Sequence, residues 1–257
     1  MTQEERRTYL IRRLLSENIE YKGCEVSQEE AGQRQLLRGL MNVRMPADAD
    51  DEFVRVQDEY LQKEQKAKGV VDVNTLKEVE PGICLWKGDI TRLNVEAIVN
   101  AANSGMTGCY RPNHNCIDNC IHTFSGIQLR KECSDIMVAQ GFEEPTGQAK
   151  ITPGYNLPAK YVIHTVGPIV SGRLTKTHEA QLASCYNSCL KTAAENDLSS
   201  IAFCCISTGV FMFPNYRAAE IAVQTVREFL KKSTSVKKVI FNVFKEYDLE
   251  IYRELLG

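Results

Sequence analysis

From Ile83 onward, short apolar runs closed by Gly, Pro or Asn alternate with longer segments of helical periodicity. A chain patterned this way has few folds open to it. Each apolar run is too short for a buried helix, and each amphipathic segment must cover a sheet face. ICLWKG and VEAIVNAAN read as the first two buried strands. GQAKITPGY and KYVIHTVG read as two more, bracketing the turn Asn156-Leu157-Pro158, and SIAFCCIST and KKVIFNVF as the last two. Between them, Ile117 to Gln140 reads as one helix with Ile121, Phe124, Leu129 and Ile136 turned inward. EAQLASCYNSCLKTAAEND reads as a second helix, PNYRAAEIAVQTVREFLKK as a third opening at Pro214, and EYDLEIYRELL as the last. The pattern predicts an α/β layered sheet.

Residues 1 to about 75 have a different texture, highly charged and helical. EERRTYLIRRLLSEN puts Tyr9, Leu10, Leu14 and Leu15 on one face, and EEAGQRQLLRGLMNVR does the same with Leu36, Leu37, Leu40 and Met41. After the turn-like Met45-Pro46-Ala47-Asp48, DDEFVRVQDEYLQKEQKAKG reads as a third helix, and strand signal is absent. The chain is therefore expected to divide into an N-terminal helical extension, 1–78, packed on a main domain, 79–257. The extension is expected to be an accessory layer; the sharper alternative is that it shapes substrate access.

Net charge bounds the ligands. At −2 the chain is not built for non-specific contact with nucleic-acid phosphates, but backbone amides could still hold a small phosphorylated ligand. No run approaches a membrane span, and TQEERR after Met1 lacks the apolar stretch of a secretory signal. With ten Cys in a chain too large for a disulfide scaffold, a reducing, cytoplasmic compartment is expected. There, clustered Cys are metal ligands or buried hydrophobes.

Gly88 to Gly126 holds the densest chemistry. Cys109-x4-His114-x-Cys116 sets three soft ligands within eight residues, and Pro112, Gly105 and Gly108 suit a loop folding back on itself. The plainer reading is a loop with two incidental Cys. Cys120 and His122 are rival ligands; if a helix begins near Ile117, Cys120 lies one turn beyond Cys116 and packs inward. On that helix Asp118 and His122 share a face. Asp118 is either a general base or an ordinary first-turn acid favoured by the helix dipole. Asn100 and Asn103 end a buried strand, where polar groups border ligand crevices in α/β sheets. Cys185, Cys189, Cys204, Cys205 and His164 read as core, and His178 as a helix-start residue.

GDITRLNVEAIVNAAN, TGQAKITPGYNLPAKYVIHTVGP and ISTGVFMFP together resemble the three signature stretches of the macrodomain family, in that family's order, across about residues 80 to 257. One loop departs from the common pattern. Hydrolytic macrodomains commonly carry a run of glycines where this chain has GCYRPNHNC. That insertion and the N-terminal extension resemble the zinc-dependent branch, whose members remove mono-ADP-ribose from proteins.

The resemblance implies a three-layer α/β/α fold with a mixed, mostly parallel sheet. It implies one zinc ion (Zn2+) per chain on Cys109, His114 and Cys116, with Asp118 and Asn103 as catalytic residues at the distal ribose. It further implies adenine contacts at Asp89 and Ile90, although Asp89 alone would read as a turn residue. Diphosphate and ribose contacts fall to Ser207, Thr208, Gly209, Val210 and Phe211. The implied substrate is a mono-ADP-ribosylated protein, and members of the branch are associated with a sirtuin-like ADP-ribosyltransferase and a lipoylated carrier protein. Two thiolates and a neutral imidazole cancel the charge of zinc, so bound water is acidified less than on three histidines. That favours a metal that orients the sugar, with Asp118 as a separate base. Two competing expectations are a non-catalytic ADP-ribose reader with structural zinc and an O-acetyl-ADP-ribose deacetylase.

Overall fold

The structure, a computed structural model, describes residues 1–21, 23–232 and 234–257. In chain order its strands are β1 (Val71–Asp72), β2 (Glu78–Glu80), β3 (Ile83–Lys87), β4 (Leu93–Asn94), β5 (Ala97–Ala102), β6 (Ala149–Pro153), β7 (Tyr161–Val166), β8 (Ser200–Phe203) and β9 (Lys238–Val243). The helices are α1 (Gln3–Ser16), α2 (Glu30–Val43), α3 (Asp51–Lys68), α4 (Ile117–Ser125), α5 (Ile127–Gln140), α6 (Lys176–Glu195), α7 (Asn215–Leu230) and α8 (Glu246–Leu256). Seven strands form one sheet in the order β2-β3-β9-β8-β5-β7-β6. The five inner strands are parallel, and the edge strands β2 and β6 are antiparallel. β1 pairs only with β4, in parallel.

The order of the strands dictates the layers. From β5 the chain moves outward to β7, whereas β7 to β8 and β8 to β9 run the opposite way. With right-handed crossovers, α4 and α5 then cover one face and α6 and α7 the other. Strands β5, β7, β8 and β9 are buried almost throughout, as a doubly covered parallel sheet requires. Neighbouring β5 and β8 lead away in opposite directions. Their carboxyl ends therefore open the crevice in which such sheets take ligands.

Two details depart from the sequence expectation. The predicted helix 117–140 is two helices, α4 and α5, broken at Gly126. Its φ is +101°, and a Cβ there would lie 2.7 Å from Gln128 Oε1 and 2.8 Å from Gln57 Nε2. On α5 Leu129 is buried as the periodicity predicts, but Cys133 and Arg130 complete the inner face, while Ile136 is only half-buried. The short strands β1 and β2 also went unread, one lying in the stretch expected to lack strands, because two or three residues carry no usable periodicity.

The helices α1, α2 and α3 build their own apolar cluster from Leu10, Ile11, Leu14, Leu37, Leu40, Met41, Phe53, Val56, Tyr60 and Leu61, joined by Ile127 of α5. They lie over α4, and polar groups complete the joint. Gln57 Oε1 accepts the amide of Ile127 at 2.9 Å, the first orphan donor of α5. Arg130, 5% exposed, donates through Nη1 to the carbonyls of Met41, Asn42 and Arg44 at 3.2, 2.7 and 2.6 Å, so its cation sits at the negative end of α2. Its guanidinium also stacks over the Tyr110 ring, 4.3 Å from the centroid. We predict that Arg130→Ala lowers unfolding free energy in urea by about 3 kcal/mol, since charged hydrogen bonds are lost and carbonyls stay buried. An unchanged midpoint would sink this account of the joint.

Candidate active site

The carboxyl end of β5 runs into a loop, residues 103 to 116, that ends at the first turn of α4. Cys116 is the N-cap of that helix, its sulfur accepting the Asn119 amide at 3.4 Å. Within the loop, Met106, Gly108 and Asn113 take positive φ. At Gly108 a Cβ would press to 2.8 Å from the His122 ring, so glycine permits the loop to lie on α4.

The fold brings Cys109, His114 and Cys116 together. Their ligand atoms all lie within 4.8 Å of one another, and Cys109 Sγ is 3.5 Å from His114 Nδ1. Sulfur and nitrogen on a tetrahedral zinc stand roughly 3.6 Å apart from standard bond lengths. The donor set therefore fits zinc in both chemistry and spacing. Burial pushes the Cys116 thiol up to about 12, opposed by the Asn119 amide; a cation in the cluster would reverse that preference and favour thiolate.

Asp118, 5% exposed, follows two residues on and is held from both sides. Asn100 Nδ2 donates to its Oδ1 at 2.9 Å and Asn103 Nδ2 to its Oδ2 at 3.2 Å. Asn103 Nδ2 also reaches the Gly108 carbonyl at 3.2 Å, tying the carboxylate to the loop. Burial raises the Asp118 carboxyl to about 6, against the lowering effect of Asn100, Arg130 and Asn103. His122 lies one turn on, its Nε2 3.6 Å from Asp118 Oδ1, as the i,i+4 spacing predicts. Burial, with His164 and Arg130 adding, holds His122 well below its usual range, so it is neutral.

The resemblance singles out Asn103, yet Asn103 and Asn100 both grip Asp118. Asn100 is fully buried, and its amide nitrogen also meets His164 Nδ1 at 3.2 Å. Turning that amide over would set its oxygen against the carboxylate, so nitrogen faces both partners. His164 Nδ1 then accepts, and Nε2–H donates to Thr152 Oγ1 at 2.9 Å. His164 is a satisfied core histidine, as expected, but it also positions Asn100. The buried trio His122, Cys133 and His164 is likewise compact. With both His164 nitrogens engaged, it leaves no position for an ion.

Cys120 does not pack fully inward. It is half-buried, is not one of the three clustered ligands and takes a contact from Arg38 Nη2 at 3.6 Å. The inward side of α4 is filled by Ile117, Ile121 and Phe124, which pack on the main core.

Two further loops share this edge of the sheet. Asp89, after β3, accepts the Thr91 amide and hydroxyl at 3.0 and 2.7 Å through one oxygen, above buried Ile90. Asn242 of β9 fixes the preceding turn by donating to Gly88 O at 2.9 Å. Residues 207–211 form the loop between β8 and α7. Ser207 (φ +65°) is buried, and a Cβ at Gly167 would collide with its hydroxyl at 2.0 Å. Amides of Thr208, Met212 and Phe213 are used within the loop. Among the described residues, those of Gly209, Val210 and Phe211 donate to no backbone carbonyl. Val210 is 71% exposed. Met106 and Asn113, in the loop after β5, and Ser207 and Met212, between β8 and α7, all hold left-handed φ. Strained backbone of this kind persists where surrounding structure over-determines it.

Phe244 and Lys68, beside the Asp89 turn, carry no signal in the sequence analysis. Phe244, 74% exposed, follows Val243, whose carbonyl accepts the Gly88 amide, so an open aromatic stands beside the Asp89 turn. Lys68, at the end of α3, lies 3.0 Å from the Phe124 ring centroid; burial lowers its pKa to about 8, while Asp89 pulls it up.

The carboxyl edge of the parallel strands thus gathers backbone amides that donate to no backbone carbonyl, a turn carboxylate and a buried Asp beside the Cys109–His114–Cys116 cluster. Comparison with known proteins assigns the family. The Macro domain family profile matches residues 99–222. The chain is 56% identical over 261 residues to a Treponema medium protein named protein-ADP-ribose hydrolase, spanning all of both chains. It is 51% identical over 222 residues to a Staphylococcus aureus (strain MSSA476) protein of the same name, covering 86% of this chain and 83% of that one. Among solved structures, a Trypanosoma brucei macrodomain in complex with ADP-ribose superposes with a TM-score of 0.67 at 30% identity, covering 86% of this chain and 95% of that one. The chain belongs to the Macro domain family, and its α/β fold with an N-terminal helical extension is the macrodomain fold.

Proposed function

We propose that this protein removes ADP-ribose from modified proteins by hydrolysing the bond at C1 of the distal ribose. The observation that carries the reading is Asp118. A carboxylate is buried there on two amide donors, at the end of the same loop that gathers Cys109, His114 and Cys116. The names of the relatives at 56% and 51% identity support the substrate class.

In this reading Asp89 accepts from the adenine amino group through its remaining oxygen, Ile90 packs beneath the ring and Phe244 offers an apolar face to it. The amides of Gly209, Val210 and Phe211 bind the diphosphate, which needs no net positive charge. Asn103 holds Asp118 next to the distal ribose, and Asp118 takes the proton of the attacking water at a carboxylate oxygen. Asn100, itself set by His164, keeps that carboxylate aimed. Zinc held by Cys109, His114 and Cys116 would supply a nearly neutral Lewis acid that polarises an oxygen or orients the sugar.

The test is release of free ADP-ribose from a mono-ADP-ribosylated protein. Zinc-loaded protein is expected to release it, and chelation to suppress turnover far more than ADP-ribose affinity. A protein that binds ADP-ribose in calorimetry yet releases none, zinc-loaded or not, is a reader and the hydrolase reading fails. Equal turnover in stripped protein would remove the metal from the mechanism.

A further inference from the structure

We propose that the N-terminal helical layer positions the metal loop, acting through Arg38 and Asn42 of α2. Arg38 Nη2 donates to the carbonyl of His114 at 2.7 Å and to Asn119 Oδ1 at 3.1 Å, while Nη1 reaches Asn115 Oδ1 at 3.4 Å. Asn42, 1% exposed, accepts the amide of Asn113 at 2.9 Å and donates to Thr123 Oγ1 at 2.8 Å. Asn113 has a φ of +55°, so the grip falls on a strained residue inside the ligand run. Gly39, between the two, faces the same residue; a Cβ there would lie 3.2 Å from Asn113 Nδ2.

Asn119 passes the restraint to the rest of the loop. Its side-chain nitrogen donates to the carbonyls of Cys109 and Arg111 at 3.2 and 3.0 Å, and its oxygen is the one Arg38 holds. The backbone at Cys109, Arg111, Asn113 and His114 is thus fixed from outside the ligand set, through α2 and the α4 residue it anchors. Arg130 closes the arrangement, because it holds the carboxyl end of α2 and stacks on Tyr110 beside Cys109. A free loop of this length would have to be ordered when metal binds, at a cost in backbone entropy for every residue fixed. Ordering it beforehand raises metal affinity and sets where the ion sits relative to Asp118.

This rests on the zinc reading above, and the experiment separates the two. Zinc affinity of the full chain is measured by competition with a chromophoric chelator, and hydrogen exchange is followed over residues 109–116. Arg38→Ala and Asn42→Ala are each expected to weaken zinc binding roughly 10- to 100-fold, the range for residues that orient metal ligands, and to speed exchange in the loop. Arg38→Lys, which keeps a donor for the His114 carbonyl, should recover part of the affinity. Gln57→Ala, which loosens α3 from α5 away from the loop, should leave zinc affinity unchanged. If Gln57→Ala weakens zinc as much as Arg38→Ala, the effect is general loosening and the proposal is overturned. It is also overturned if both α2 variants bind zinc and exchange like the parent. If the parent takes up no zinc, the metal reading fails alone, and faster loop exchange in the α2 variants still upholds the positioning role.

Discussion

Replacing Cys116 with serine is expected to empty the site of zinc and cut ADP-ribose release by at least about a hundredfold, because a whole ligand is lost rather than a supporting contact. The same change should leave ADP-ribose affinity within about threefold, as for an interaction used mainly in the transition state. Cys116 has two duties, and the substitution divides them. As N-cap of α4 its sulfur accepts the Asn119 amide, a role serine performs at least as well. As a ligand it must be a thiolate, and a serine hydroxyl is a poor substitute on zinc. Helix α4 should therefore stay folded, with Asp118 still aimed, and the unfolding midpoint should stay close to the parent's. Metal content by mass spectrometry, calorimetric ADP-ribose binding and single-turnover release measure the three quantities. Turnover that persists with the metal gone would show that Cys109, His114 and Cys116 serve only the loop's shape.

Much of this site was legible along the chain because its parts are local. Cys109, His114, Cys116, Asp118 and His122 occupy fourteen residues, and one loop followed by one helical turn brings them together. Asp118 and His122 needed only helical spacing to be placed on one face. The strands were equally readable, since doubly covered parallel strands are continuous apolar runs. What the sequence hid depends on contacts between distant segments. Along α2, Arg38 and Asn42 look like ordinary members of a polar helix face. Their meaning appears only when that face is found against residues 113–115, more than seventy positions later. The resemblance singles out Asn103 and is silent on Asn100, whose importance comes from α4 lying against β5 so that Asp118 receives both amides. The break at Gly126 was masked by a helical period that continues through it. Glycine is needed there for its φ of +101° and for the closeness of Gln128 and Gln57, the second of which comes from the extension. Composition and periodicity report on burial. They are silent on which buried polar groups meet.

The second large effect is expected from Asp118→Asn. The two side chains have the same shape, so β5, α4 and the metal loop should keep their arrangement. Asparagine cannot take a proton from water at neutral pH, and loss of a general base costs about 10²- to 10⁴-fold in turnover. The local network says what stability should do. Asp118 accepts from both Asn100 and Asn103. An asparagine at 118 presents one oxygen, so one of those amides must turn over or lose its partner. Asn100 cannot turn without facing its own oxygen toward His164 Nδ1, which accepts. Asn103 can turn, giving up the contact of its oxygen with the Gly105 amide and that of its nitrogen with the Gly108 carbonyl. Those losses, about 1 kcal/mol each, are largely offset by no longer burying a charge. Stability should therefore move by no more than about 1 kcal/mol while hydrolysis collapses, and ADP-ribose binding should persist. A variant that hydrolyses at the parent rate would assign the base elsewhere. A variant that unfolds readily would instead make Asp118 a structural first-turn acid, since no isosteric loss of a catalytic charge should disturb the helix it begins.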